Sequence, residues 1–434
     1  MFRHYLDLAL RSLRRSKALT ALMVLAIALG IGASMTTLTV FHVLSADPIP
    51  AKSDRLFVVQ LDATDRADAP AAAEPIEQLT RFDAEALLRD RRGVRQVMMT
   101  GGGVPLQPTV PGMKAMQADA RYTSADFFAM FEVPLRHGRA WEAADDAAEA
   151  PVAVISDTLN QKLFGGADST GRTLRVGDRS LRIVGVMAPW RPVPHYYDLN
   201  TGRYSKAEDL YMPFSTANAM KLSFNGSMTC WGNDNPPSRR ALNAPCAWIQ
   251  YWVELAAPAD AAAYREYLGL YSDQQRAAGR FTRPSNPRLR DVNAWLAFKN
   301  VVPGDVRLQM WLAFGFLLVC LTNTVGLLLA KCLKRSPEIG VRRALGATRA
   351  AIFAQFLVEA GTIGVAGGLL GLGLALLGLW GVRQNPASYA QLAHLDAPML
   401  AATFVVAVGA SLIAGLLPAW RACQVAPAIQ LKSQ

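Results

Sequence analysis

The apolar positions divide the chain into four segments of membrane length and one long mixed segment. Four stretches contain no Asp, Glu, Lys or Arg: 18–46, 308–330, 360–382 and 397–420. Each exceeds the roughly 20 residues that a helix needs to cross about 30 Å of hydrocarbon. Buried helices of a soluble protein are the alternative, but they are rarely so long and so free of charge. The pattern therefore predicts four transmembrane helices.

The segment between the first two spans, 47–307, mixes strand and helix patterns. PVAVIS predicts a strand, after which Ser156 can cap a short helix, TLNQKLF, that Gly165 ends. RTLRVGDRSLRIVGV alternates around Gly177, which is typical of a hairpin. FDAEALLRDRRGV predicts a helix ending at Gly93, and DAAAYREYLGLYSDQQRAAG predicts another. We predict a membrane protein with four transmembrane α-helices and a large mixed α+β domain inserted between the first and second helices.

Lys and Arg predict the orientation of the bundle. Five of them lie in 1–17, six in 331–359 and two after residue 420, whereas the loop 383–396 holds one. An even number of spans places both termini on one side, and basic residues collect on the cytoplasmic side. We therefore expect cytoplasmic termini and a large domain on the opposite side.

The segment boundaries follow from the same pattern. FRHYLDLALRSLRR places its apolar residues on one helical face, which predicts an interfacial helix, an ordinary basic flank being the alternative. In chain order we expect an interfacial helix at 1–17, a span at 18–46, the large domain at 47–307 with an inserted lobe at about 100–245, a span at 308–330, a cytoplasmic loop at 331–349, a span at 350–382, a short outer loop at 383–396, a span at 397–420 and a cytoplasmic tail at 421–434.

Charge and motifs exclude several functions. The net charge of +11 lies mostly at the predicted cytoplasmic span ends, since 47–307 holds 31 basic and 30 acidic residues, so nucleic acid is not an expected partner. The sequence contains no G-x-x-x-x-G-K-[ST] phosphate loop and no metal-ligand spacing among its five histidines. HYYD at 195–198 is interpreted as a polar loop. Glu359 lies at the edge of the third span, and no span has a central acidic residue. We expect neither an enzyme, a bound metal or cofactor, nor a secondary transporter.

The predicted topology divides the five cysteines between compartments. Cys320, Cys332 and Cys423 fall in spans or on the cytoplasmic side, whereas Cys230 and Cys246 fall outside, where oxidising conditions permit a disulfide. Such a bond would close a short loop and stabilise the fold by about 3 kcal/mol. Two unpaired thiols in separate parts of the domain are the alternative.

The third span presents small-residue faces. Gly364 and Gly368 are four residues apart, as are Gly367 and Gly371. This spacing permits close helix–helix approach in lipid. The helix met there is either another helix of the same chain or a helix of a second permease.

The charged stretch KRSPEIGVRRALGA between the second and third spans carries helix start and stop signals. Ser336 can cap a helix whose first position suits Pro337. Gly346 can end it in a left-handed turn, about nine residues later, and Thr348 can cap the helix that follows. Glu338 near the start and the arginines near the end complement the helix dipole. The helix either docks on a protein partner or only lies on the membrane.

EIGVRRALGA resembles the signature of ABC transporter permeases of the FtsX/MacB type. QFLVEAGTIGVAGGLLG, LPAWRACQVAPAIQL and the outer stretches YTSADFFAMFEVPLRHGRAW, VAVISDTLNQKLFG and GRTLRVGDRSLRIVGV are similar to that family too. The resemblance covers most of the chain, and the outer stretches point to the macrolide-exporter-like branch. It implies a coupling helix that docks on the ATPase, with contacts from Glu338, Ile339, Gly340, Arg342, Arg343, Ala344, Leu345 and Gly346.

The resemblance also implies a function. The macrolide exporter carries its ATPase ahead of the first span, whereas this sequence starts at the interfacial helix, so we expect ATP and Mg on two copies of a separate ATPase. The expected complex contains a second permease, identical or related, in a bacterial inner membrane, with a periplasmic adaptor and an outer-membrane channel as further candidate partners. Its expected work is export of a peptide, antibiotic or lipid-like substrate by mechanotransmission. The alternatives are a signalling subunit that activates a periplasmic hydrolase or a sensor kinase, and a membrane-bound enzyme.

Overall fold

The computed structural model describes residues 9, 11, 12, 16–65, 74–107, 114–232, 238–384, 389–395 and 397–423. The chain divides into two compact units. Residues 1–45 and 302–434 form the membrane unit, and residues 46–301 form the extramembrane domain. Most of the predicted interfacial helix, and the predicted tail beyond residue 423, lie outside the described residues.

The elements follow one another in an order that places the extramembrane domain between the first two long helices. They are α1 (Lys17–Ser45), β1 (Leu56–Gln60), β2 (Leu79–Thr80), α2 (Arg81–Asp90), β3 (Arg95–Gln107), β4 (Met116–Thr123), α3 (Phe127–Met130), β5 (Leu135–Gly138), α4 (Ala143–Ala147), β6 (Val152–Ile155), α5 (Asp157–Phe164), β7 (Thr173–Val176), β8 (Arg179–Met187), β9 (Leu210–Pro213), α6 (Phe214–Ala219), β10 (Phe224–Asn225), β11 (Thr229–Cys230), β12 (Cys246–Glu254), α7 (Ala261–Ala277), β13 (Arg288–Asp291), α8 (Val292–Phe298), α9 (Gly304–Lys334), α10 (Ser336–Ala344), α11 (Arg349–Arg383) and α12 (Ala397–Cys423), with 3-10 turns at Pro258–Asp260 and Ala390–Leu392.

Four helices, α1, α9, α11 and α12, are long and apolar enough to span a membrane. Their surfaces expose large apolar side chains such as Phe316, Leu377 and Val405, which is what a lipid-facing surface requires. Tryptophans are exposed near the start of α9 at Trp311 and near the end of α11 at Trp380, where aromatic side chains suit the membrane interface. The four spans are thus confirmed, and α9 is longer than its charge-free core because the helix continues into both polar flanks.

Glycines of α11 bring it against α1. A Cβ added at Gly367 would lie 2.7 Å from Cγ2 of Ile27, and one at Gly371 would lie 3.1 Å from the carbonyl oxygen of Ala28. The contact at Gly367 is too short for a side chain unless Ile27 moves, and the contact at Gly371 is tighter than most Cβ contacts. The second pair, Gly364 and Gly368, faces α12. Both predicted small-residue faces therefore pack helices of the same chain.

The extramembrane domain is built on one 13-stranded mixed sheet. Its main path runs β13-β1-β12-β3-β4-β9-β6-β8-β5, and the described pairs are antiparallel except β4 with β9 and β6 with β8. Every residue of β12 is buried, as expected of a central strand with both faces covered. The same sheet includes strands from residues 100–245 and from the flanking segments, so the proposed lobe boundaries stay a prediction.

Several local patterns are confirmed. Ser156 caps α5 by accepting a hydrogen bond from the backbone N–H of Leu159, and Gly165 ends that helix with φ +65°. Strands β7 and β8 pair antiparallel with Val176 opposite Arg179, which forms the predicted hairpin. The helix expected to end at Gly93 instead ends at Asp90, because Arg91 adopts the left-handed conformation.

Residues 195–198 form a loop, as predicted, but this loop is buried and is not a polar surface loop. His195, Tyr196, Tyr197 and Asp198 are all buried, because the two tyrosines pack in an aromatic cluster with Phe131 and Trp252. The sequence HYYD looked polar because its partner is distant in the chain: buried Arg121 pairs with Asp198 at 2.7 Å.

Buried Arg121 also compensates a second carboxylate. It pairs with Glu208, which accepts hydrogen bonds from the hydroxyls of Tyr197 and Tyr211 at 2.8 and 3.0 Å. Burial would raise the pKa of Glu208, but the charge of Arg121 outweighs it and lowers that pKa to about 2. The ionised cluster therefore persists at neutral pH within the core of the domain.

Cys230 and Cys246 form a disulfide in the structure. They lie opposite each other where β11 pairs with β12. The bond joins the short strand β11 to the start of the buried central strand β12.

We expect Gly367→Ala to destabilise the folded membrane unit, because its new Cβ would overlap Ile27. The matched control is Gly373→Ala, where an added Cβ meets nothing within 4 Å and helix propensity favours alanine by about 1 kcal/mol. Thermal unfolding of the two purified variants in the same detergent compares them. Equal unfolding temperatures would contradict close packing at Gly367.

We expect mass spectrometry of unreduced peptides to recover the Cys230–Cys246 link from protein matured outside the cytoplasm. The double variant Cys230→Ser/Cys246→Ser should lower the free energy of unfolding of the extramembrane domain by about 3 kcal/mol. Recovery of both cysteines as alkylated thiols from unreduced protein would contradict the bond.

Candidate functional site

The short helix α10 lies between α9 and α11, and a single residue, Arg335, separates it from the end of α9. Its cap is Arg335, not Ser336 as predicted, and no side chain caps it. The reason is that the carbonyl of Arg335 already accepts the N–H of Ile339 at 3.0 Å, which makes Ser336 the first helical residue and Pro337 the second. The turn from α9 into α10 is therefore tight.

The end of α10 forms the predicted glycine stop. Gly346 has φ +101°, which favours glycine over all other residues. The N–H of Ala347 donates to the carbonyl of Arg342 at 3.0 Å, and the N–H of Gly346 donates to that of Arg343 at 3.2 Å, the two bonds of a Schellman motif. Thr348 then caps α11 through the N–H of Ala351, as expected.

One face of α10 is anchored to the membrane unit. Ile339 and Gly340 are buried, and Ile339 belongs to a small apolar cluster with Cys332, Ile352, Phe356 and Ala419. These partners come from α9, α11 and α12. Because three helices hold it, α10 cannot rotate freely about its axis.

The charges of α10 bind residues of the same chain. Arg342 pairs with Glu338 at 2.7 Å and donates to the amide oxygen of Gln355 on α11 at 3.1 Å. Arg343 is half-buried. The sequence suggested that these charges face a partner, but in the structure the pair Glu338–Arg342 already compensates itself, and such a partly exposed pair contributes less than about 1 kcal/mol.

The opposite face of α10 is apolar and exposed. Val341 is 53% exposed and Leu345 is 83% exposed, and the exposed residues Pro337 and Ala344 lie beside them. Positions four, seven and eight residues apart share one side of a helix. We call Pro337, Val341, Ala344 and Leu345 the apolar docking face. Sequence reasoning missed Val341, although the i, i+4, i+8 spacing of Pro337, Val341 and Leu345 carried the signal.

A buried charge cluster lies where α10 joins the spans. Glu359 of α11 is 1% exposed and is in contact with Lys331 of α9, which is 3% exposed. Its carboxylate accepts a hydrogen bond from Ser12 at 2.5 Å and lies 3.8 Å from the guanidinium of Arg335. Arg335 in turn donates to the hydroxyl of Ser12. The cluster therefore connects an N-terminal residue, both flanking spans and the cap of α10.

Sequence reasoning treated these residues only as charges at a span edge. The available signal was the pairing of an acid and a base at the facing ends of two apolar runs, since ionisable residues in spans are rare and almost always paired. Among the residues that the structure describes, no group of three His, Cys, Asp or Glu side chains could hold a metal ion.

Comparison with known proteins shows the family. Residues 20–269 match the family model described as the MacB-like periplasmic core domain, and residues 310–427 match the FtsX-like permease C-terminal model. The chain is 26% identical over 98% of its length to the Macrolide export ATP-binding/permease protein MacB of Azoarcus sp. (strain BH72), of which it covers 59%. It is 26% identical over 72% of its length to the Pyoverdine export ATP-binding/permease protein PvdT of Pseudomonas aeruginosa, of which it covers 42%.

The chain thus spans about six-tenths or less of the curated relatives that it matches. Among solved structures, the periplasmic region of MacB from Actinobacillus actinomycetemcomitans is similar with a TM-score of 0.37 and 14% identity, covering 58% of this chain and 96% of that one. Because the core-domain model spans more than half of the chain and the permease model covers the last three spans, the chain belongs to the family of FtsX-like permeases with a MacB-like periplasmic core domain.

Proposed function

We propose that this permease is the membrane part of an ATP-driven export system and that α10 receives the force from an ABC ATPase located outside these 434 residues. In this scheme α10 lies in the cytoplasm of a bacterial inner membrane and the extramembrane domain lies in the periplasm. Two ATPases approach each other on binding ATP and Mg, displace the α10 helices of two permeases, and so move the periplasmic domains. The proposed cargo is a peptide, antibiotic or lipid-like molecule handled on the periplasmic side, with an adaptor and an outer-membrane channel as further partners.

The apolar docking face is the observation that carries this proposal. A short helix in water gains nothing by exposing Val341 and Leu345, whereas complete burial of such side chains against a partner contributes about 1.5–3 kcal/mol each. The anchored face with Ile339 ensures that a push on α10 reaches the spans instead of turning the helix. Both requirements of a coupling element, exposed apolar area and a rigid connection, are met on opposite sides of α10 and its C-cap residue Leu345.

The competing interpretation is that the apolar docking face inserts into the membrane interface. Amphipathic helices bind there through apolar area and basic residues, both of which α10 has. Since the two interpretations differ in whether a protein or lipid covers Val341 and Leu345, copurification of the ATPase separates them.

We expect Leu345→Ser, and more strongly Val341→Ser/Leu345→Ser, to lower recovery of the ATPase with tagged permease from native membranes. The matched control is Leu333→Ser, which changes an exposed leucine on α9 that lies outside the apolar docking face. Loss of two buried side chains at an interface should weaken association at least tenfold, because each tenfold change corresponds to about 1.4 kcal/mol. Wild-type permease alone should hydrolyse no ATP.

Charge variants complete this test. Glu338→Gln and Arg342→Gln/Arg343→Gln should uncouple ATP hydrolysis from transport, with a smaller effect on ATPase recovery than the apolar variants, because Glu338 and Arg342 are already paired. Unchanged ATPase recovery in all of these variants, together with altered binding to lipid vesicles, would favour the membrane-surface helix. Copurification of a cell-wall hydrolase or a sensor kinase in place of transport would favour a signalling function.

We further propose that the buried charge cluster transmits the displacement of α10 to both flanking spans. Arg335 is both the cap of α10 and a member of the cluster, so α10 cannot move as a unit without changing its contacts with Glu359 and Ser12. Buried pairs of this kind stabilise less than their Coulomb energy suggests, because both charges lose their hydration. We therefore attribute the presence of such a pair in a span to the positioning of α10 and its flanking helices, and not to the stability of the fold.

We expect Glu359→Gln to destabilise the membrane unit by about 3–5 kcal/mol, because it leaves Lys331 buried without a counter-charge. The double variant Lys331→Met/Glu359→Leu removes both charges and should recover folding, measured by thermal unfolding in detergent. In that double variant, transport-coupled ATP hydrolysis should still be reduced. Full recovery of coupling together with folding would show that the cluster has no positioning role.

A further inference from the structure

A cavity of about 690 Å³ lies in the extramembrane domain, far larger than the space around α10. It is lined by α2 and the turn after it, by the start of β3, by residues 124–126, and by α4 and α6. Ligand cavities of this size usually accommodate a molecule the size of a drug or a short peptide. Neither the fold nor the coupling mechanism requires such a space.

One wall of the cavity is positively charged. Arg81 and Arg95 already have partners, Glu85 at 2.6 Å and Glu254 at 2.8 Å. Arg89, at the end of α2, and Arg91, in the turn that follows, make no ion pair with any residue that the structure describes, and both are exposed. Two guanidinium groups that line the cavity are thus available for a carboxylate or phosphate, which arginine binds with two parallel hydrogen bonds.

Three acidic side chains outside α2 also line the cavity. Asp126 precedes α3, Asp146 lies in α4 and Glu149 follows it, and all three line the cavity. Asp146 accepts hydrogen bonds from the N–H of Ala125 at 2.7 Å and from the indole of Trp141 at 2.9 Å. The side chain of Glu149 is exposed and, within the described ranges, makes no hydrogen bond or ion pair.

Burial destabilises the ionised form of Asp146. Burial raises the pKa of Asp146 to about 6, although its two hydrogen bonds oppose the rise. At neutral pH the group is therefore ionised but poorly solvated. A ligand cation placed beside it would stabilise the charge that burial disfavours.

Apolar side chains also line the cavity. Leu88, Met98 and Phe214 contribute to the lining, and Val94 is 57% exposed in it. An exposed β-branched residue in a concave site is covered when an apolar ligand binds. The cavity lining therefore combines basic, acidic and apolar side chains.

We propose that this cavity binds a zwitterionic ligand of short-peptide size, with its carboxylate on Arg89 and Arg91, its ammonium group near Glu149 and Asp146, and its apolar part over Val94 and Phe214. The ligand matches both walls at once, since four arginines and four acidic residues line the cavity and a ligand of single charge would face repulsion from one wall. The proposal deepens the proposed export function by naming the class of substrate, and it rests on that function only for the fate of the bound molecule.

The test is isothermal titration calorimetry of the full-length permease in detergent with the tetrapeptide Ala-Phe-Leu-Ala. Four forms are compared: free termini, N-acetylated, C-amidated and both. We expect the free peptide to bind, and removal of either terminal charge to weaken binding about tenfold, as is typical for loss of a charge-assisted hydrogen bond.

Protein variants test which side chains bind the carboxylate and the ammonium group of the peptide. In Arg89→Gln/Arg91→Gln, the free and C-amidated peptides should bind equally, whereas the free peptide should still bind more tightly than the N-acetylated peptide. In Glu149→Gln, the difference in affinity between the free and N-acetylated peptides should become smaller. The matched control is Arg92→Gln, because Arg92 stacks on the ring of Tyr267 and does not line the cavity. Circular dichroism of each variant checks its fold, and the peptide series on the wild type needs no variant at all.

The inference is overturned if no form of the peptide binds, if blocking the termini has no effect, or if Arg92→Gln changes discrimination as much as the cavity variants. The experiment contains no ATP and no ATPase. Peptide binding without coupled transport would therefore contradict the proposed function alone, whereas coupled transport without peptide binding would contradict this inference alone.

Discussion

The close packing of α11 against α1 and α12 is the constraint on which the membrane unit depends. In lipid there is no hydrophobic driving force between helices, so association requires contact between backbones. Gly367 and Gly371 provide it toward α1, while Gly364 and Gly368 provide it toward α12. These four positions pack α11 against two neighbouring helices, so α11 is a central element of the bundle. This packing also fixes the positions of Glu359 and of the start of α11.

The placement of Glu359 then organises the end of the bundle that carries α10. A carboxylate buried among spans requires cations, and Lys331 and Arg335 provide them from the end of α9 and the turn into α10. The apolar contacts of Ile339 add a second attachment a few residues later. The orientation of α10 therefore results from charge compensation at its start and apolar packing along its inner face.

The spans and the short helix could be predicted because their signals are local. Charge-free stretches, the glycine at position 346 and the cap at Thr348 depend on neighbours in sequence, and the structure contains each of them. The disulfide partners could be chosen only after topology had removed the other cysteines. Family resemblance supplied the role of α10, which spacing and charge alone left open between a protein partner and the membrane surface.

The errors and omissions concern residues whose partners are distant in the chain. The burial of HYYD at 195–198 was missed because Arg121, its compensating charge, lies far upstream on β4. Ser336 has good capping chemistry, but α9 ends so close to α10 that Arg335 takes the position. Val341 looks like an ordinary apolar residue of a helix until the packing of Ile339 shows which face is already covered.

The junction between α10 and α11 has a mechanical consequence. Only residues 345–348 separate the two helices, and they are held by the two bonds of the Schellman motif and by the cap at Thr348. A connection so short and so fully hydrogen-bonded acts as a rigid elbow. With its 35 residues, α11 is a lever about 52 Å long, so a tilt of about 5° at the elbow moves its far end by about 5 Å. If an ATPase displaces α10 as we propose, this connection would amplify a small tilt at the start of α11 along the length of that helix.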